Sequence, residues 1–168
     1  ICSTLSNWVE EKSYFNDEEK IVLLDKVLSK EFIFYNIGSE NEDSVLRRSF
    51  SILLVNSILY AHLVNNFLDI NMIIKVKDSI IKYINEEKDL RGYDQEKGWL
   101  HALAHVADSV ALLVNFKELD EKAYEDLILA IGNRICQGKD SICFDEDERI
   151  VNSIYNYIIE EKLLSNES

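Results

Sequence analysis

Two of the three histidines in this chain stand four residues apart, at His101 and His105, and a carboxylate follows at Asp108. On a helix at about 100° per residue, His101 and His105 lie about 40° apart and Asp108 about 20° from His101 on the other side. Two imidazoles and a carboxylate on one stripe make a three-ligand set suited to zinc, iron or manganese. In a hydrolase, a water on such a metal would be the nucleophile. The general-base glutamate of the zinc-protease motif is absent, because Ala102 follows His101. The other reading of the same stripe is a hydrogen-bonded polar seam in which Asp108 bonds a histidine. Spacing alone fixes no third or fourth ligand, so both readings stay open at this stage.

The approach to this stripe carries Arg91, Gly92, Tyr93, Asp94, Lys97 and Trp99. As a turn, it would place Gly92 at an unusual backbone angle, with Asp94 capping the next helix or pairing with an arginine. As a groove wall, it would bind an anion or a peptide carboxylate. Arg48 shares a stripe with Ile52, Val55 and Leu59. One of Arg47 and Arg48, which open this helix, is therefore expected to be partly buried and to need a carboxylate, with Asp94, Asp108 and Asp147 as candidates. The ligand-groove candidates are Arg48, Arg91, Tyr93, Asp94, Lys97 and Trp99. The acidic run from Asp145 to Glu148 suits a helix N-terminus, and Arg149 after it is placed to reach another helix. No serine sits in a nucleophile-elbow sequence.

Helices must position these groups. A chain of 168 residues with no proline and 5 glycines favours long helices and short connections. A short helix is expected over Leu5 to Lys12. Asp17 caps the next one, which runs toward Phe32. The aromatic stretch from Phe32 to Ile37 is not read as a strand, because no partner strand is visible. Ser44 caps a helix to about Phe67. Asp69 caps another with Ile70, Ile73, Ile74, Ile80, Ile81 and Ile84 on one face, and the two must fold back as a hairpin. A second pair follows, from about Glu96 to Val114 and, capped by Asp120, to near Cys136. A last helix spans about Glu146 to Leu164. In the Glu96 helix, Trp99, Leu103, Val106, Val110 and Leu113 form the core-facing stripe. The expected fold is a single all-α domain over residues 1–168. Its hairpins would stack as a HEAT-like right-handed array or close into a compact helical bundle.

The formal net charge is −13. Such a field repels phosphate backbones and anionic membrane surfaces, which argues against nucleic-acid and membrane partners. The stretch from Ser49 to Leu68 has no Asp, Glu, Lys or Arg, but is too polar for a spanning helix and reads as a buried central helix. Cys2, Cys136 and Cys143 are read as free thiols in a reducing compartment. The first residues lack the basic-then-apolar form of a signal peptide. The expected location is the cytoplasm.

The block from Glu87 to Tyr93, through Lys97-Gly98-Trp99, His101-Ala102, Ala104-His105 and Ala107-Asp108, resembles the bacterial family known as domain of unknown function 2785. Asp43-Ser44-Val45 with Arg48-Ser49-Phe50-Ser51, and the acidic block Glu146 to Arg149, look like its flanking blocks. The resemblance covers roughly residues 18 to 160. It implies a helical protein of bacteria such as Firmicutes. It also places Arg91, Tyr93, Lys97, Trp99, His101, His105 and Asp108 in the family's motif, and assigns none of them a role. The resulting expectation is a binding or scaffold domain with a helical groove around this segment, taking a protein, a peptide or a small anion. A metal-dependent hydrolase using His101, His105 and Asp108 is the alternative.

Overall fold

The computed structural model describes residues 4, 7–9, 14–137 and 146–157. Helix α1 spans Asp17–Val27, and its cap is Asn16 rather than Asp17. The Asn16 side chain accepts from the Glu19 amide at 2.9 Å, and the Glu19 carboxylate accepts from the Asn16 amide at 2.9 Å. This reciprocal box satisfies two orphan donors. Phe32 to Ile37 forms turns, not a strand.

Helix α2 spans Ser44–Asn65, with Asp43 at its N-cap making no side-chain cap bond. The expected Ser44 cap does not form; its hydroxyl is shared with Ser39 and Arg48 at 2.8 and 3.0 Å. Asn66 ends the helix in the left-handed region. His62 then closes the turn, its Nδ1 accepting from the amides of Phe67 and Leu68 at 3.0 Å each. Asp69 caps helix α3, Ile70–Glu86, by accepting from the Met72 amide at 2.8 Å. Ile73, Val76, Ile80 and Ile84 are buried, while Ile70 and Ile74 are exposed. The expected isoleucine face is therefore narrower than its six members.

The second pair departs from expectation at its start. Tyr93–Asp94 (β1) and Gly98–Trp99 (β2) form a two-stranded antiparallel hairpin, pairing Tyr93 with Trp99 and Asp94 with Gly98. Helix α4 begins only at Ala102 and ends at Leu113. Helix α5 spans Glu121–Gln137, with Asp120 accepting from the Ala123 amide at 2.8 Å as expected of a cap. Helix α6 spans Glu146–Tyr157. The expected extension to Leu164, most of the Leu5–Lys12 helix, Cys2 and Cys143 lie outside the described residues. Cys136 is a free, exposed thiol.

Helix α4 packs against α2 on one side and α6 on another, while α3 packs on α5. The result is an all-α compact bundle with α4 at its centre. That position explains the absence of ordinary surface charge on α4: Leu103, Ala104, His105, Val106, Ala107, Ser109, Val110 and Leu113 are all buried. The charge-free stretch in α2 is likewise a core helix, burying Ile52, Val55, Ile58 and Leu59. Among the described residues, no helix is long and apolar enough to cross a membrane.

Candidate functional site

Arg48 is completely buried. Its Nε and Nη2 donate to the two carboxylate oxygens of Glu87 at 2.6 and 2.8 Å. Its Nη1 donates to the carbonyls of Tyr35 and Asn36 at 3.0 and 3.2 Å, and to the Ser44 hydroxyl at 3.0 Å. A guanidinium has five N–H groups, and here they are used up. The partner is none of Asp94, Asp108 or Asp147 but Glu87, the residue that ends α3. Arg48 therefore ties the start of α2 to the end of α3, and it is not open to a ligand.

Arg91 is occupied by four side-chain hydrogen bonds. Nε and Nη2 donate to the two oxygens of Asp89 at 2.7 and 2.6 Å, Nη1 to Asp94 at 3.2 Å, and Nη2 also to the Glu42 carbonyl at 3.3 Å. The hydrogen bonds that Arg91 donates to Asp89 hold its pKa above the ordinary value. Asp89 in turn accepts from the Asn41 amide at 3.0 Å. The second Asp94 oxygen accepts from the amides of Glu96 and Lys97 at 2.9 and 3.1 Å. Asp94 thus caps the hairpin turn rather than a helix. Lys97 pairs with Asp43. The glycine with the unusual backbone angle is Gly98, at φ +82° with free space where a Cβ would stand, and not Gly92. The Gly92 carbonyl instead accepts from the Leu100 amide at 2.9 Å.

This pinned hairpin presents an aromatic and imidazole face. Trp99 is 51% exposed and Tyr93 43%, so Trp99 lies outside the core stripe expected of it. Their rings meet edge to face at 4.9 Å between centroids. Trp99 also stacks on His101 at 4.6 Å and 5°, and His101 meets His105 at 5.7 Å. His101 is not inside a helix. It is the N-cap of α4, in the left-handed region at φ 48°, a conformation that costs a non-glycine residue about 1 kcal/mol or more. The 40° geometry between the two histidines therefore does not apply.

His105 is buried against Phe50. The fully buried Ser49 hydroxyl donates to the Leu100 carbonyl and lies 2.9 Å from His105 Nδ1. With its one proton given to Leu100, Ser49 can only accept from His105, so Nδ1 carries the ring proton and Nε2 the lone pair. Burial, assisted by the charges of Arg149 and His101, pushes the His105 pKa down to about 4, and the ring is neutral near pH 7.

Asp108 bonds no histidine. It accepts from Arg149 Nη1 at 2.8 Å. Burial raises its pKa, with Arg149 opposing. The expected His101, His105 and Asp108 ligand set is thus not assembled, because the carboxylate is engaged by an arginine and His101 is displaced onto the cap. Among the described residues, no three His, Cys, Asp or Glu side chains are grouped to hold a metal ion.

Of the expected groove residues, Tyr93 and Trp99 lie together on one face with His101. Arg48, Arg91, Asp94 and Lys97 are engaged in ion pairs with Glu87, Asp89 and Asp43 and with one another. Sequence reasoning missed Glu87, Asp89 and Ser49 as partners; each acts on a residue or loop that no periodicity connects to it. A family model described as "Protein of unknown function (DUF2785)" matches residues 33–168. No curated protein matches the chain, and no solved structure does.

Proposed function

The chain belongs to that DUF2785 family, and from its geometry we propose that it is a binding domain, acting by recognition rather than by chemistry, with the Tyr93–Trp99–His101 face as its site. One observation carries this reading: two large aromatic side chains, each about half exposed, are held rigid on a hairpin that buried and half-buried ion pairs fix in place. Aromatic anchors of this kind dominate recognition surfaces, and rigidity lowers the entropy lost on binding. The left-handed His101 adds to it, since backbone strain of this type clusters at ligand sites. Ser49, the serine that contacts an imidazole, is fully buried and hydrogen-bonded, which favours a positioning role over a nucleophilic one.

The test replaces Tyr93 with a benzophenone amino acid and irradiates the full chain in its own cell extract. Adducts of any mass are read by mass spectrometry of the intact chain. A discrete adduct is expected, absent when the same group replaces Tyr60, which is more exposed than Tyr93, and lost on Trp99→Ala. Trp99→Ala alone should shift the thermal midpoint by no more than a few degrees, because the ring is half in water. Absence of any adduct, with a sharp loss of stability in Trp99→Ala, would make the face core architecture and overturn the reading.

A further inference from the structure

We propose that Arg149 is the anion-binding group of this face, and that the ligand is a singly charged carboxylate borne on a planar apolar group. This rests on the binding-face reading above and names the chemistry that the face would take.

The three well-placed arginines are used very differently. Arg48 and Arg91 spend their donors on Glu87, Asp89, Asp94 and backbone carbonyls. Arg149 makes one hydrogen bond among the described residues, from Nη1 to Asp108. Its Nε and Nη2, which form the side-on edge of the guanidinium fork, have no such partner there. The side chain is 35% exposed. Asp108, itself partly buried on α4, fixes the orientation of the guanidinium from the Nη1 side. An arginine held on one edge and open on the other is preorganised for a bidentate, planar anion.

The surroundings select among anions. Helix α6, which carries Arg149, packs on α4, which begins just after His101. Arg149 bonds Asp108 at 2.8 Å, and at the start of the same helix His101 meets His105 at 5.7 Å between ring centroids, so these four groups share one neighbourhood. Beyond His101 lies the stacked indole of Trp99. A planar group attached to the carboxylate would continue that stack. A multiply charged anion such as phosphate is disfavoured by the neighbouring Asp108 and by the overall charge of −13. The matching ligands are an aromatic carboxylic acid or the free C-terminus of a peptide ending in an aromatic residue.

The experiment uses the full chain with Trp8→Phe, which leaves Trp99 as the sole tryptophan. Indole fluorescence is titrated with benzoate, acetate, inorganic phosphate, and a short phenylalanine-terminated peptide in free-acid and amide forms. Saturable quenching in the millimolar range, ordinary for so small a probe, is expected with benzoate or with the free-acid peptide. Benzoate binding with no difference between the two peptide forms assigns a small aromatic acid. Selective binding of the free-acid peptide assigns a chain terminus. Either should weaken at least tenfold in Arg149→Gln and several-fold in Arg149→Lys, which keeps the charge but not the fork. If Arg149→Gln fails to fold, Arg149→Lys decides. Equal affinity in the parent and both Arg149 variants, phosphate binding as well as benzoate, or no saturable response to any carboxylate would overturn the assignment. A Tyr93 photoadduct that survives in Arg149→Lys would leave the binding face standing without it.

Discussion

Two charged regions of the molecule, a back one around Arg48 and Arg91 and a front one around Arg149, differ in how completely their donors are satisfied. In the back region Arg48 meets Glu87 and Arg91 meets Asp89 in short bidentate contacts, Arg91 adds one longer bond to Asp94 at 3.2 Å, and both arginines also donate to backbone carbonyls. In front, Arg149 holds Asp108 by one hydrogen bond, and His105 is buried as a neutral ring. A saturated guanidinium is a staple, because any ligand would have to displace an internal carboxylate. An arginine whose Nε and Nη2 make no hydrogen bond among the described residues, as is the case for Arg149, has capacity left over. The difference shows that residue type alone does not separate architecture from site; the count of unspent donors does.

The largest effect that would sharpen this contrast is on stability. Arg48→Met should destabilise the fold by about 3–5 kcal/mol, because it leaves the Glu87 carboxylate buried without its partner. Urea unfolding measures it, and a loss below about 1 kcal/mol would mean that the back region is not a staple.

A second effect lies in the pH dependence of stability. The His105 pKa is pushed from 6.5 down to about 4 by burial, then by Arg149 and His101. A depressed folded value means that the unfolded chain takes the proton first. The stabilising contribution is full above pH 6.5 and is lost as pH falls toward 4, by on the order of 3 kcal/mol. His62 is also lowered by burial, against an opposing Glu118, and adds in the same direction. Asp108 runs the other way, since its raised pKa favours the fold at low pH and loses that contribution as pH rises. The His105 share is therefore the difference between the parent and His105→Gln. An unchanged slope between pH 6.5 and 4 in that variant would contradict a neutral buried ring.

Ser49→Ala comes next, at about 1–3 kcal/mol, because it strips a buried partner from His105 Nδ1 and from the Leu100 carbonyl. Chemical denaturation checks it, and a neutral result would place the front histidine outside the fold's support. The smallest effect is that of Trp99→Ala, expected within about 1 kcal/mol of the parent since half the ring is already in water. A loss of several kcal/mol there would erase the distinction between the two regions.

Much of the bundle was legible because its signals are local. The Asp69 and Asp120 caps, the hairpin between α2 and α3, and the burial of the uncharged Ser49–Leu68 stretch follow from patterns a few residues wide. The burial of one arginine of the Arg47–Arg48 pair was also readable, from an apolar stripe that an arginine interrupts, and so was the reach of Arg149 to another helix. What failed has a common cause. Strands of two residues leave no periodicity, so the β-hairpin was absorbed into a helix starting at Glu96, which misplaced Trp99 and His101. The partner of Arg48 is 39 residues away and that of Asp108 is 41. Such pairings are set by how helices pack, which spacing along the chain does not encode. For both reasons together, the residues of the metal stripe are not grouped as a ligand set among the described residues.

The most direct test makes one charge-conserving change at each arginine, Arg48→Lys, Arg91→Lys and Arg149→Lys, and measures urea stability and benzoate quenching of Trp99 on all three in the Trp8→Phe chain. The expected result is a double dissociation: the first two lose stability and, where folded, bind as the parent does, while the third keeps its stability and loses binding several-fold. Weakened binding in folded Arg48→Lys or Arg91→Lys with parent-like binding in Arg149→Lys would contradict the division between staple and site.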